Sequence, residues 1–148
     1  MRPVTCGALI LLAASGCGGK KDKESFGGAG DCPPPISTAS AGNVDISAQA
    51  LGGRNAKLIV VHADEKSNGA PVRGGKVTIQ AEMTCPHFMG PFIMKKLQET
   101  SAGTYKGGYN LFMPGHWDVH ITVRNKRGDA TTSGLPVVVK APGSQLLP

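Results

Sequence analysis

A twelve-residue stretch, MTCPHFMGPFIM at positions 83–94, is the densest group of side chains in this chain that could bind a soft metal ion. It contains three of the five methionines, one of the four cysteines and one of the four histidines. Thioether, thiolate and imidazole groups are soft or borderline ligands, and cuprous copper prefers such donors. The candidate copper ligands are His87, Met89 and Cys85, with Met83, Met94 and Met113 as further donors.

The spacing of these residues favours the middle of the stretch as the metal site. Met83, Cys85 and His87 lie at positions i, i+2 and i+4, so an uninterrupted strand would point all three side chains to one face. Neighbouring side chains on that face would be about 7 Å apart. Met89 follows within a proline-bounded loop, and Met94 would begin the next strand. We therefore expect any metal to be held between positions 85 and 89.

The same alternation also fits ordinary core packing. The strand face that carries Met83 and Cys85 also carries Val77, Ile79 and Ala81. Methionine fills irregular gaps in hydrophobic cores, and free cysteine is among the most buried residue types. We therefore interpret Met83 and Met94 first as core residues. Cys85 keeps three interpretations: a metal ligand, a disulfide partner of Cys32, or an inert buried thiol.

A second, weaker constellation consists of His116, Asp118 and His120, which alternate along one strand. Their nitrogen and oxygen donors suit zinc or cupric ion. Two histidines four positions apart on a strand are separated by about 13 Å, which is too far for a shared metal unless the strand bends.

The N-terminus predicts export and lipidation. Residues 1–16, MRPVTCGALILLAASG, combine Arg2 with an apolar run that is too short to span a bilayer as a mature helix. The small residues ASG lead into Cys17 and resemble the lipobox of bacterial lipoproteins. This resemblance implies that Cys17 carries acyl chains such as palmitate and anchors the protein to a membrane. Gly18 gives no signal for inner-membrane retention, so we expect a place in the cell envelope, at the outer membrane or the periplasmic face.

Composition then divides the remaining chain. The lipidated cysteine and the Gly-, Ser-, Pro- and Lys-rich segment that follows, residues 17–42, have almost no branched apolar side chains and predict a disordered tether. Residues 43–141 predict one domain, and residues 142–148 a C-terminal tail. At 148 residues the chain has room for a single modest core.

The residue pattern predicts strands throughout residues 43–141. Short runs rich in β-branched residues alternate with Gly, Asn and Pro, and no run keeps a helical period. The predicted strands are 44–51, 57–64, 76–85, 92–99, 104–113, 117–125 and 135–141. Seven strands at near ten-residue spacing predict an all-β protein, an immunoglobulin-like antiparallel β-sandwich. Trp117 alternates with aliphatic residues and is expected to anchor the core.

Charge and motifs exclude several function classes. The formal net charge is +6. In an exported protein this excess describes a solvated surface rather than a nucleic-acid site, so we expect no nucleic-acid partner. The chain contains no Gly-x-Ser-x-Gly elbow, no His-Glu-x-x-His motif and no phosphate-binding glycine loop, so no enzymatic activity is expected.

The segment GTYKGGYNLFMPGHWDVHITV at 103–123 is similar to FixH-like and YtkA-like domains. The matching residues are Tyr105, Pro114, Gly115 and Trp117, and the upstream GAPVRGGKVTIQAEM at 69–83 also fits. The resemblance implies an extracytoplasmic, often membrane-tethered sandwich that is linked to copper handling or to cytochrome oxidase assembly. It therefore implies a copper cofactor and an envelope or oxidase-assembly partner. The alternative is a structural or protein-interaction module of the envelope without a metal, in which the sulfur residues only pack.

Overall fold

The computed structural model describes residues 32–141, which contain nine β-strands. The strands are β1 (Thr38–Ala41), β2 (Val44–Leu51), β3 (Ala56–Glu65), β4 (Lys76–Cys85), β5 (Lys95–Lys96), β6 (Gln98–Ser101), β7 (Thr104–Asn110), β8 (Gly115–Arg124) and β9 (Ala130–Val139). Within this range no helix is long and apolar enough to cross a membrane. The predicted signal peptide, Cys17 and the predicted C-terminal tail lie outside the described residues.

The strands form two antiparallel sheets that pack face to face. One sheet has the order β1-β9-β8-β4-β5 and the other has the order β2-β3-β7-β6. In the immunoglobulin fold, strands A, B, E and D form one sheet and strands G, F and C form the other. Here β2, β3, β7 and β6 take the first set of places, while β9, β8 and β4 take the second. The predicted immunoglobulin-like sandwich is confirmed.

The core lies between the sheets and follows the alternation of the sequence. In β4 from Val77 to Met83, and in β8 from Trp117 onward, every second residue is buried and the residues between them are more exposed. The register places Met83 opposite Trp117 and Ile79 opposite Ile121, so inward side chains meet across the strand pair. Burying a side chain of this size stabilises the fold by about 1.5–3 kcal/mol. The single tryptophan is 1% exposed and anchors the core, as predicted.

The prediction of a single strand over residues 92–99 is wrong. The chain forms two short strands there, β5 and β6, which belong to different sheets. Leu97 lies between them, is 2% exposed, and donates its backbone N–H to the Val77 carbonyl oxygen at 2.8 Å. The chain therefore crosses from one sheet to the other at a buried leucine, which the local residue pattern does not distinguish from a strand interior.

The predicted tether also ends too late, because ordered structure begins before residue 43. β1 pairs with β9, with Thr38 opposite Gly134. A Cβ at Gly134 would lie 2.5 Å from the Thr38 hydroxyl oxygen, so the glycine permits this close approach. Cys32 is joined to Cys85 by a disulfide. Backbone hydrogen bonds and a covalent link thus hold a segment whose side chains bury little apolar surface.

Candidate functional site

The loop of residues 86–94 folds back along the edge of β4. Met89 and Met83 exchange two backbone hydrogen bonds, of 2.8 and 2.9 Å, and Phe92 N–H donates to the Ala81 carbonyl oxygen at 2.9 Å. The strand therefore stops at Cys85, where Pro86 has no N–H to continue the ladder. The expectation of one strand face shared by Met83, Cys85 and His87 is wrong.

Cys85 is not available as a thiolate ligand. Its sulfur is bonded to that of Cys32, and the two Cα atoms are 5.8 Å apart. Of the three interpretations of Cys85, the structure contains the disulfide with Cys32. The bond ties the segment before β1 to the base of the 86–94 loop.

Met83 is a core residue and Met94 is not. Met83 is fully buried, and a Cβ built at Gly115 would lie 3.0 Å from its sulfur atom. Met94 is 58% exposed and its neighbour Ile93 is 82% exposed, so the interpretation of this run as core strand is wrong. The run lies between the Phe92 hydrogen bond and β5, outside any strand ladder, and its side chains stand away from the sandwich.

The soft donors that reach the surface are fewer than the sequence suggested. His87 is exposed, and Met89 and Met113 are half-buried against the core. The Met113 carbonyl oxygen accepts a hydrogen bond of 3.0 Å from the Trp117 indole. The structure thus leaves an imidazole, one exposed thioether and two partly covered thioethers near the 86–94 and 111–114 loops.

Three aromatic rings hold these two loops together. The ring centroids of Phe92 and Phe112 are 5.1 Å apart, and those of Phe92 and Trp117 are 5.5 Å apart. Phe112 completes the triangle with Trp117 at 5.6 Å. Aromatic pairs of this geometry contribute about 0.5–1.5 kcal/mol beyond their buried area. The 86–94 and 111–114 loops are therefore positioned as one unit above the buried tryptophan.

The outer surface of this unit is apolar. We call it the apolar end and define it by Phe88, Ile93, Met94 and Phe112, which are 69%, 82%, 58% and 46% exposed. A shallow cavity of about 210 Å³ lies beside it, with Ile93 and Phe112 in its lining. Several large apolar side chains on adjoining loops mark an interaction surface more often than isolated ones do. Sequence reasoning missed this surface because an apolar run resembles a buried strand.

A separate polar cluster lies on the outer face of the β4–β8 pair. His120 Nε2 is 3.1 Å from Glu82 Oε1 and 3.9 Å from Asp118 Oδ2. His116 is 8% exposed and lies outside the cluster. Sequence reasoning missed Glu82, because only the sheet register places it opposite Asp118.

The side chains of this cluster contact one another across the sheet. Glu82 and Asp118 lie directly opposite each other, and the imidazole of His120 lies within reach of both. Donor atoms of all three residues lie within 4.8 Å of one another. Asp118 Oδ1 is buried and receives no hydrogen bond from any described residue. His120 therefore contacts Glu82 closely, and neither of its contacts reaches Asp118 Oδ1.

Tyr105 has a structural role at the opposite end of the sandwich. Its hydroxyl donates to the Val72 carbonyl oxygen at 2.6 Å and accepts the Gly75 N–H at 3.0 Å. Burial raises the pKa of Tyr105 above its usual value of 10.0; the Gly75 hydrogen bond lowers that pKa and the charge of Glu99 raises it further. The hydroxyl therefore fixes the 72–75 loop as a neutral group.

The remaining motif residues shape the turn before β8. Gly115 has a φ of +147°, and a Cβ there would collide with the Cys85 carbonyl oxygen. Pro114 is half-buried beside it, and Trp117 follows in the core. These positions serve the fold rather than a ligand.

Comparisons with known proteins agree with this architecture. A family model described as YtkA-like matches residues 38–122. The solution structure of the PKD domain from the human VPS10 domain-containing receptor SorCS2 is 20% identical, with a TM-score of 0.37 over 91% of this chain and 99% of that chain. The fold assignment rests on the strand order and not on that likeness. A search of curated protein sequences finds no significant match.

Proposed function

Because this chain belongs to the YtkA-like family, we propose that it is a lipid-anchored, non-enzymatic sandwich protein of the cell envelope that binds copper. The position and composition of the 86–94 loop support copper binding most directly. It is held against β4 by hydrogen bonds and at Cys85 by a disulfide, and it presents an exposed imidazole beside thioether groups.

The proposed ligands are His87 and Met89, with Met94 and Met113 as neighbouring donors. Cuprous copper favours thioether and imidazole groups, and these four side chains are the ones near the loop that solvent reaches. Cys85 is left out because it is bonded to Cys32, and Met83 because it is fully buried.

The anchor and the partner belong to the same proposal. Cys17 would carry the acyl chains, and the domain would then work close to a membrane surface. A protein that escorts copper needs an acceptor, and the proposed acceptor is an envelope protein such as an oxidase-assembly component. No nucleic acid is involved.

An anaerobic titration with cuprous ion tests the metal site. The chain lacking residues 1–16, with Cys17→Ser, is titrated against a chromophoric cuprous chelator, with ascorbate as a reductant that leaves the disulfide intact. We expect one equivalent to bind more tightly than micromolar. The double variant His87→Ala/Met89→Leu should weaken binding at least tenfold, because it removes both leading donors.

The matched control is His62→Ala, since His62 is also exposed but lies on β3, hydrogen-bonded to Thr104. Its affinity should equal that of the unsubstituted chain. Absence of binding tighter than micromolar, or equal affinity in the double variant, refutes the copper site.

A second candidate is an interaction module of the envelope without a metal. It is supported by the burial of Met83, by the disulfide at Cys85 and by the exposed apolar end. In this case the titration detects no cuprous binding, while substitutions at the apolar end still disturb the protein's place in the envelope.

A further inference from the structure

The chain enters the domain at the same end of the sandwich as the apolar end. Cys32 is bonded to Cys85, the last residue of β4. Strand β1 begins six residues after Cys32, at Thr38, which pairs with Gly134 in the middle of β9. Gly115 pairs with Val139, which places the end of β9 at this same end of the sheet. The described part of the chain therefore begins at this end of the sandwich.

Three loops from the two sheets meet at this end. The 86–94 and 111–114 loops are joined by the contact of Phe92 with Phe112. The 52–55 loop adjoins them, because the Asn55 carbonyl oxygen accepts the backbone N–H of Leu111 at 2.8 Å. The end therefore presents one surface built from both sheets, with exposed apolar side chains on two of its loops.

The charged side chains around this surface are mainly basic. None of the three loops contains an acidic residue. Exposed basic side chains lie on or beside them, namely Arg54, Lys95 and Lys140. Two half-buried acidic side chains come near, because Glu82 lies against Gly90 of the 86–94 loop and Asp118 faces Glu82 on the outer face of the sheet. The other acidic residues of the described chain lie on strands and loops toward the opposite end: Asp45, Asp64, Glu65, Glu99 and Asp129.

We infer that the apolar end docks on an anionic lipid surface. Exposed aromatic and aliphatic side chains insert at the boundary between headgroups and acyl chains, and bordering lysines and arginines attract anionic headgroups. Phe88 and Ile93 are the most exposed members and supply the insertion. Lys95 lines the cavity beside Ile93 and Phe112, Arg54 lies on the adjoining 52–55 loop, and these two cations supply the charge.

This inference rests on the proposed lipid anchor for its orientation. Fifteen positions separate Cys17 from Cys32, and a chain of that length spans at most about 50 Å in any conformation. An acylated Cys17 therefore keeps Cys32, which is bonded to the base of the 86–94 loop, within that distance of the bilayer. Weak docking is then sufficient, because a tether raises the effective concentration of the second contact.

Vesicle flotation of the non-acylated chain tests the surface by itself. The chain lacking residues 1–16, with Cys17→Ser, is mixed with vesicles of 70% phosphatidylcholine and 30% phosphatidylglycerol or with phosphatidylcholine alone. We expect binding to the anionic vesicles that weakens as salt is raised. Phe88→Ser/Ile93→Ser should reduce the bound fraction at least fivefold, and Arg54→Gln/Lys95→Gln should remove the preference for phosphatidylglycerol.

Two controls are matched to these variants. Ile36→Ser removes an 85% exposed side chain outside the loops, and Lys66→Gln/Arg73→Gln removes two exposed cations at the opposite end. Both controls should bind as the unsubstituted chain does. Circular dichroism verifies that every variant keeps its sheet structure.

Several results would overturn the inference. These are an absence of binding to both vesicle types, equal binding by Phe88→Ser/Ile93→Ser, or loss of binding in a control variant. A concentration-dependent dimer in sedimentation that Phe88→Ser/Ile93→Ser abolishes, without vesicle binding, would assign the surface to a second copy of the chain. Acylation of Cys17 is measured separately by mass spectrometry, so failure of the anchor and failure of the docking surface are distinguishable.

Discussion

Removal of the disulfide between Cys32 and Cys85 is the most informative perturbation of this fold. The bond closes a loop with a sequence separation of 53 residues and links the segment before β1 to the last residue of β4. Backbone pairing with β9 also holds β1, and pairing with β8 also holds β4. We therefore expect Cys32→Ser/Cys85→Ser to fold and to lose stability mainly through the unfolded state.

The size of the loss follows from loop closure. A cross-link over about 53 residues lowers the entropy of the unfolded chain enough to stabilise the native state by about 4 kcal/mol at 25 °C. Domains of this size have free energies of unfolding of about 5–15 kcal/mol, so the variant is expected to remain folded but marginal. The unfolded chain also expands without the cross-link, so the dependence of the unfolding free energy on urea should steepen.

Urea unfolding followed by circular dichroism measures both quantities, in the chain that lacks residues 1–16 and carries Cys17→Ser, so that Cys32 and Cys85 are its only cysteines. The single variants Cys32→Ser and Cys85→Ser should lose as much as the double variant, because each one removes the same bond. A loss below about 1 kcal/mol with an unchanged urea dependence would refute the loop-closure reasoning. A larger loss in Cys85→Ser than in Cys32→Ser would show that the packing of Cys85 contributes as well.

Three further predictions concern the fold residues. Tyr105→Phe leaves two backbone groups without their hydroxyl partner and should lower the unfolding free energy by about 2–3 kcal/mol in urea. Because the pKa of Tyr105 is raised in the folded state, the stability that it contributes is present below pH 10 and is lost as the pH rises through the folded pKa. In a series of unfolding measurements at increasing pH, Tyr105→Phe should lack this part of the loss of stability. Met83→Ala should lower the free energy of unfolding in urea by about 2–5 kcal/mol, because the side chain is fully buried, whereas Met94→Ala should change it by less than about 0.5 kcal/mol. Equal losses of stability in the two variants would contradict the burial assignment. Gly115→Ala should lower the melting temperature strongly, because its φ of +147° disfavours an L side chain and the added Cβ meets a backbone oxygen; an unchanged melting temperature would refute this.

Much of the sandwich could be predicted because its signal is local. The predicted ranges of β2 and β4 coincide with the observed strands, and the inward face of β8 follows the alternation from Trp117 onward. Each of these predictions depends on residues two positions apart on one strand, and the period of a strand is a property of the backbone itself.

The candidate site was less predictable because it depends on exposure rather than on residue type. The sequence showed that soft donors are concentrated at 83–94, yet the same apolar and sulfur residues occur in cores and on surfaces. Met83 and Met94 illustrate this, since one is fully buried and the other is 58% exposed. The apolar end was missed for the same reason.

The sequence by itself determined the β-rich character of this protein, its tryptophan-anchored core and the position of its soft donors along the chain. The tertiary structure decided that Cys85 bonds to Cys32, that Glu82 faces Asp118, and that the loop bearing His87 and Met89 lies where the chain enters the domain. The physical reason is the sequence distance between the residues that determine each feature. Alternation is written into neighbouring residues, whereas a partner 53 positions away or across a sheet is selected only when the register and the packing of both sheets are complete.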